Sequence, residues 1–453
     1  MPVKQAKQPK SNSIHERLTD GFLALMMTVL VLSVSPKGYL DVVGVKWGAF
    51  LILCGGYAGL CVLLWLEEVL VGQRKLAELK DAVRESTWTQ RLLLAYLLLT
   101  WVSALLSDYP KTAWLGGTRR EGALTITLYV LCFLCVSRFG KPKAWMADLL
   151  AATVTAQAIL CILQLRGGNP LALYPEGVNY FDAGKAYSGA YLGTIGNVDF
   201  VGAYFSLALP LLLAGILRMK ARRRFWFLLP LALSAYVVLR MWVLSCFVGL
   251  ALGGAIALPV ILPASARARR GTAFGLLGLA LLGVIAVFAV DFGGVFHSLH
   301  ELLHGNVPRS VDSGRLYIWR EVLKLVPQHP LFGAGPDTLS LAGIEPFQRY
   351  DESLELMLYA GIDAAHSEYL NVLYHQGAFA LAALLAALVT ALIAWVRRAR
   401  ENAAAAILGS AVLCYVVQAS FNISMCFTAS LFWCVLGLLD GCCGKNERKG
   451  RKQ

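Results

Sequence analysis

Seven histidines occur in the 453 residues, and one of them stands where an imidazole can do chemistry. His366 lies in Asp363-Ala-Ala-His-Ser-Glu-Tyr-Leu370, at the start of a long apolar run. A ring at such a boundary can take a proton near neutral pH. Arginines supply the complementary chemistry. Arg119 and Arg120 sit in Gly116-Gly-Thr-Arg-Arg-Glu-Gly122, Arg240 closes an apolar run, and Arg315 and Arg320 lie in Ser313-Gly-Arg-Leu-Tyr-Ile-Trp-Arg320. A guanidinium grips phosphate oxygens with a planar two-pronged fork, so several converging on one pocket suit a diphosphate. The plainer reading of any one of them is a cation facing water or phospholipid headgroups. Arg315 departs from it, because it stands one turn before Trp319 on the apolar, membrane-facing side of its segment.

The pattern gives metals little support. His300 and His304 have i,i+4 spacing, but no Glu sits inside the pair as in His-Glu-x-x-His. His375 follows His366 by nine residues, about 180° beyond whole turns of a helix, so the two would face opposite ways. No Asp-x-Asp pair occurs, which removes the usual mark of a sugar-nucleotide site built on a divalent ion. We expect no metal and no cofactor. The 11 cysteines read as small core residues, since nine lie inside apolar runs and Cys132/Cys135 have no second pair or histidine partner.

The elements that must position these residues are membrane spans. The chain is 57% hydrophobic and 15% charged, against roughly 25% charged in soluble proteins. Continuous apolar runs of about 20 residues recur, each long enough for a hydrocarbon layer of roughly 30 Å, which excludes a soluble enzyme and argues against a barrel. Twelve runs emerge: 20–35, 46–70, 89–107, 121–138, 145–166, 197–218, 225–240, 242–263, 272–291, 367–396, 403–420 and 424–441. The formal charge is +13. With both termini in the cytoplasm, 27 of the 41 Lys and Arg residues fall on cytoplasmic segments, as basic residues do in membrane proteins. The positive charge is then a topology signal and requires no nucleic acid.

The organisation that follows is an all-α polytopic membrane protein. A basic cytoplasmic tail (1–19) leads into spans one to nine (20–291). A large external loop (292–366), spans ten to twelve (367–441) and a second basic tail (442–453) complete it. Within the loop, Asp312-Ser313 caps a helix running to Val326 and ended by Pro327. Gly333-Ala-Gly335-Pro336 is a turn, and Ser353 to Tyr359 reads as a further short helix. The histidine and most of the singled-out arginines lie at the external face. A loop of this length is where function is to be sought.

Taken in order, four motifs resemble the O-antigen ligase/O-antigen polymerase family. They are Gly193-Thr-Ile-Gly-Asn197 leading into a span, Ser313-Gly-Arg-x-x-x-Trp319, His329-Pro-Leu-Phe-Gly-Ala-Gly335, and His366-x-Glu-Tyr-Leu followed by Gly377. The resemblance covers roughly residues 95–440. It implies a GT-C-like bundle and a glycosyltransferase of the bacterial inner membrane that needs no metal. The implied donor is an undecaprenyl-diphosphate-linked glycan, the implied acceptor a glycan, lipid or protein hydroxyl, and the transfer inverting and outside the cytoplasm. By position, Arg315 and His366 match the family's loop arginine and following histidine. Arg119, Arg120, Arg240, Arg320, Trp319 and Asn197 are the expected substrate-binding residues. The chain departs from the family's pattern at Ser367, where Asn is common, and at Cys246, where an arginine is common; Arg240 is the nearest arginine to the latter. Two other readings stay open. A flippase or transporter would carry repeats and mid-membrane charges, which the spans nearly lack. A non-catalytic family member would fit Cys246.

Overall fold

The computed structural model describes residues 10–72, 83–182, 191–218, 221–263, 265–293, 297, 300, 301, 303–305, 314–351 and 356–450. Ten of its helices are long and apolar enough to cross a membrane. In chain order the elements are α1 (Lys10–Leu25), α2 (Gly38–Leu70), α3 (Trp88–Leu106), α4 (Pro110–Leu115), α5 (Ala123–Phe139) and α6 (Ala144–Gln164). The hairpin strands β1 (Tyr191–Leu192) and β2 (Gly196–Asn197) precede α7 (Val198–Arg218), α8 (Ala221–Met241), α9 (Leu244–Ile261) and α10 (Ala266–Ala289). Then come α11 (Arg315–Leu325), β3 (Phe347–Asp351), β4 (Leu356–Ala360), α12 (Glu368–Arg398), α13 (Ala403–Gln418) and α14 (Cys426–Gly450). The protein is all-α apart from two small antiparallel hairpins. Of the other two expected runs, 121–138 corresponds to α5, an apolar helix of 17 residues, and 20–35 begins within α1.

Burial sorts the helices into centre and periphery. The most apolar windows of α7 and α14 are 78% and 83% buried, whereas that of α10 is 6% buried and turns nearly its whole surface outward. α1 starts ten residues before the expected apolar run. Its polar first turns are held by the protein: Lys141 and Lys143 pair with Glu16, and His15 Nε2 lies 3.2 Å from Glu68. Hydropathy alone ends a span where such contacts begin. The buried Lys46 is likewise accounted for. Its ammonium donates to the carbonyls of Leu30 and Val31, each at 2.7 Å, where the helical run that continues α1 through a π-helical turn ends at Leu32.

The segment after α10 differs from expectation in three ways. The expected cap Asp312-Ser313 lies outside the described residues; α11 begins after Gly314, whose φ of 82° is open to glycine at little cost. The stretch expected as a helix over Ser353–Tyr359 contains a strand instead, β4, which pairs with β3 in the register Phe347↔Ala360. Ser353 itself is outside the described residues. The third difference concerns the apolar face of α11, expected to meet the membrane. Ile318 and Val322 pack with Leu339, Ile362, Ala365 and Tyr374 in a small core of their own, so protein covers that face.

α12 is interrupted, and the interruption is filled. Gly377 has φ 83° and ψ 177°, which breaks the helix. The carbonyls of Tyr374 and His375 accept from Ala334 and Gly335, and the N–H groups of Ala378 and Phe379 donate to Pro330 and Leu331. The His329–Gly335 turn thus supplies four backbone hydrogen bonds where the helix loses its own. A Cβ on Gly333 would collide with the backbone of His375, and one on Gly377 with that of Leu331. The glycine-rich turn and Gly377 are two halves of one joint.

Candidate functional site

The joint sets the position of the chain just before α12, and that chain carries His366. Ser367 is the N-cap of α12, so His366 stands outside the helix in a left-handed conformation with φ 49°. The opposite-face argument from helical spacing does not apply to it. His375 is in α12, buried against the joint, with its Nε2 lacking a partner. Arg120 and Asp337 also have positive φ, at 60° and 57°. Such non-glycine residues carry backbone strain and concentrate at functional sites.

Three separate stretches bring charge to His366. From the α4–α5 turn, Arg119 makes a two-pronged pair with Asp363, Nε to Oδ2 at 2.9 Å and Nη2 to Oδ1 at 2.8 Å. Thr118 Oγ1 donates to the same carboxylate at 3.2 Å. From α11, Arg315 is buried and its Nη2 lies 3.4 Å from Asp199 Oδ1 at the start of α7. Trp319, one turn further on, donates from Nε1 to the Ala365 carbonyl at 2.8 Å and so fastens α11 beside His366. Asp337 holds the arginine-bearing turn through its Oδ2, which accepts from the backbone of Gly117 at 2.6 Å and of Glu121 at 3.2 Å.

The electrostatics follow from this packing. Burial pushes the His366 imidazole down to about 4 from its usual 6.5; Arg119 and Arg315 act in the same direction, Asp199 and Asp363 against it. The ring is therefore neutral at physiological pH, the form in which it accepts a proton. Burial pushes the Asp363 carboxyl up, but Arg119 outweighs it and holds the group below the usual range. Burial pushes Asp337 up to about 6, against its two amide donors and Arg119. One imidazole, two guanidiniums and two carboxylates thus form an alternating set. Its geometry allows a base next to two cationic forks. Arg119 uses Nε and Nη2 on Asp363, and a guanidinium has five N–H donors, so others remain for an incoming oxyanion.

Of the residues expected from the sequence, the structure brings together His366, Arg119, Arg315 and Trp319. Asn197 lies next to them in the chain fold. Its Oδ1 accepts from Asp199 N at 2.8 Å, which fixes the start of α7 and with it the partner of Arg315. Arg120, Arg240 and Arg320 are exposed. Arg120 lies over the Trp47 ring at 5.2 Å, and Arg240 acts on Tyr180; neither is among the strongest charges on His366. Arg240, which is exposed, and Cys246 sit in different surroundings. Cys246 is wholly buried against Gly202, and the helix breaks at Trp242 between the two. Sequence reading missed Asp199, Asp337 and Asp363. Asp363 opened the quoted histidine motif and Asp199 followed Asn197 by two residues, but attention to phosphate-binding cations passed over their counter-charges. Among the described residues, no three His, Cys, Asp or Glu side chains cluster as metal ligands.

Comparison with known proteins agrees with the ordered motifs. No curated protein matches the chain. The family model described as O-antigen ligase matches residues 241–385, the part of this multi-pass membrane chain that holds Arg315, Trp319, the glycine-rich joint and His366.

Proposed function

We propose that the protein transfers a glycan from an undecaprenyl-diphosphate carrier to an acceptor hydroxyl, on the outer side of a bacterial cytoplasmic membrane. The observation that carries this reading is the convergence of Arg119 and Arg315 on a neutral, half-buried His366. A diphosphate is already a good leaving group, so the donor needs no further activation. His366 would take the proton of the acceptor hydroxyl as its oxygen attacks the anomeric carbon. The C–O bond to the diphosphate breaks as the new glycosidic bond forms, and attack from the far side inverts the centre. Arg119 and Arg315 would meet the charge that grows on the departing diphosphate, in surroundings where water is scarce and each hydrogen bond to charge counts for more. Trp319 and Asn197 act by holding α11 and the start of α7 in place. Neutralisation by guanidinium forks makes a divalent ion unnecessary, so turnover should persist in EDTA.

The deciding experiment is transfer in vitro by the purified full-length protein, with a lipid-linked glycan donor and isolated surface glycolipid as acceptor. Transfer by the unaltered protein and its loss in His366→Ala support the reading. Undiminished transfer by folded His366→Ala removes the assignment. The proposed side of the membrane has its own check. A cysteine placed in the 292–366 segment should react with an impermeant thiol reagent on spheroplasts; labelling only after lysis would reverse the orientation.

A further inference from the structure

A cavity of about 320 Å³ lies in the bundle among α1 and the turn after it, α6, α7, α8, α13 and α14. It falls in the range of ligand pockets, roughly 300–1,000 Å³. Its wall is mostly apolar, with Met26, Leu150, Leu207, Leu211, Ile407 and Leu438 in it. On α7 the lining runs from Tyr204 to Arg218. At 1.5 Å per residue that is about 21 Å of helix. α7 begins at the His366 site with Asp199 and ends at Arg218, so the mouth of this cavity is at the opposite end of the bundle.

Two observations define what fits. Protein interiors hold few voids larger than a water molecule, and an apolar void of this size stays dry. The occupant is therefore apolar along most of its length. At the mouth stand Lys143 and Arg218. Lys143 is neutralised by Glu16 and Asp20. Arg218 donates to the backbone carbonyls of Ala399 at 2.9 Å, Arg400 at 3.4 Å and Ile261 at 3.5 Å, which carry no charge. Among the described residues no carboxylate pairs with it. A guanidinium without a counter-charge at the rim of an apolar cavity calls for an amphiphile with an anionic head. The depth agrees with a headgroup layer plus half of a hydrocarbon core of roughly 30 Å.

We propose that this cavity binds an anionic glycerophospholipid, with one acyl chain between α7 and α13 and its phosphate at Arg218. The site is separate from the His366 cluster and does not depend on the reaction proposed there. It would join helices at the end of the bundle that the loop segment does not reach, and a lipid bound only to the folded state adds to its stability.

The test is native mass spectrometry with lipid analysis of the full-length protein in mild detergent. About one anionic phospholipid per chain should survive delipidation. Arg218→Gln should lower its occupancy about tenfold, the loss expected for a hydrogen bond to charge. Leu211→Trp and, from the other wall, Ala147→Phe should exclude it, with folding judged by gel filtration. The unaltered protein gives an independent arm: a phospholipid with a photoactivatable acyl chain should label peptides of α7 and α13. Labelling confined to the outward-facing α10 would overturn the proposal. A retained polyprenyl phosphate, a neutral lipid, or occupancy unmoved by Arg218→Gln would do the same. His366→Ala should keep the lipid whatever its effect on transfer.

Discussion

The two ends of α7 show two ways of building a site in a membrane protein. At its first turn, Asp199 meets Arg315 across 116 residues of sequence, beside the Arg119–Asp363 pair, which spans 244. The backbone around them is irregular, with a broken α12 and strained residues at positions 120, 337 and 366. From Tyr204 to its last turn, side chains of Leu, Met and Ala from several helices wall a cavity, and Arg218 sits at the rim. Fixing a charge in low dielectric needs partners with defined direction, because an unpaired buried charge is costly. Holding a hydrocarbon chain needs only shape and volume. The first end should therefore fail sharply on single substitutions, and the second should fail by degrees.

The largest effect should come from His366→Ala, which is expected to lower turnover by roughly 10²–10⁴-fold while the protein still folds. A loss under tenfold would mean that both ends tolerate truncation alike. Arg315→Lys comes next. A point charge keeps the attraction to Asp199 but loses the fork, and one hydrogen bond to charge is worth about 1.5–3 kcal/mol, or roughly 10–100-fold in kcat/KM. If Arg315→Lys were indistinguishable from the unaltered protein, the cluster would be a structural ion pair.

Gly377→Ala sharpens the contrast on the backbone side. Its Cβ would run into the Leu331 backbone at φ 83°. A strained conformation costs on the order of 1–3 kcal/mol, visible as a lower Tm, before any catalytic group is touched. A glycine with open space around it, such as Gly278 in α10, should accept alanine without loss. The smallest effect should be that of mild acid. With His366 down at about 4, the neutral form is present above that value and is lost as pH falls through it. The acid limb of kcat/KM should therefore lie well below 6.5. Folding stability should decline between 6.5 and 4, where the unfolded ring takes a proton and the folded ring does not. A limb at 6.5 would place His366 in water and break the comparison.

The sequence alone determined that this is an all-α membrane chain, since hydropathy over about 20 residues is a local property that no packing can reverse. It also picked out His366, Arg315 and the glycine motifs, because residue type and order survive without coordinates. Local patterning misled where neighbours decide the outcome. Leu356–Tyr359, within a stretch expected as a helix, pairs in β4 with β3, and the apolar face of α11 meets residues 339–374 instead of lipid. Which arginine stands beside His366 was a matter for the tertiary structure. Sequence offered Arg119, Arg120, Arg240 and Arg320 on equal terms; Arg119 stands with Arg315 among the strongest charges on His366, and Asp363 and the clamp at Asp337 hold its turn in place. Charge pairing acts through space at about 3 Å, and no spacing along the chain records which groups will come that close.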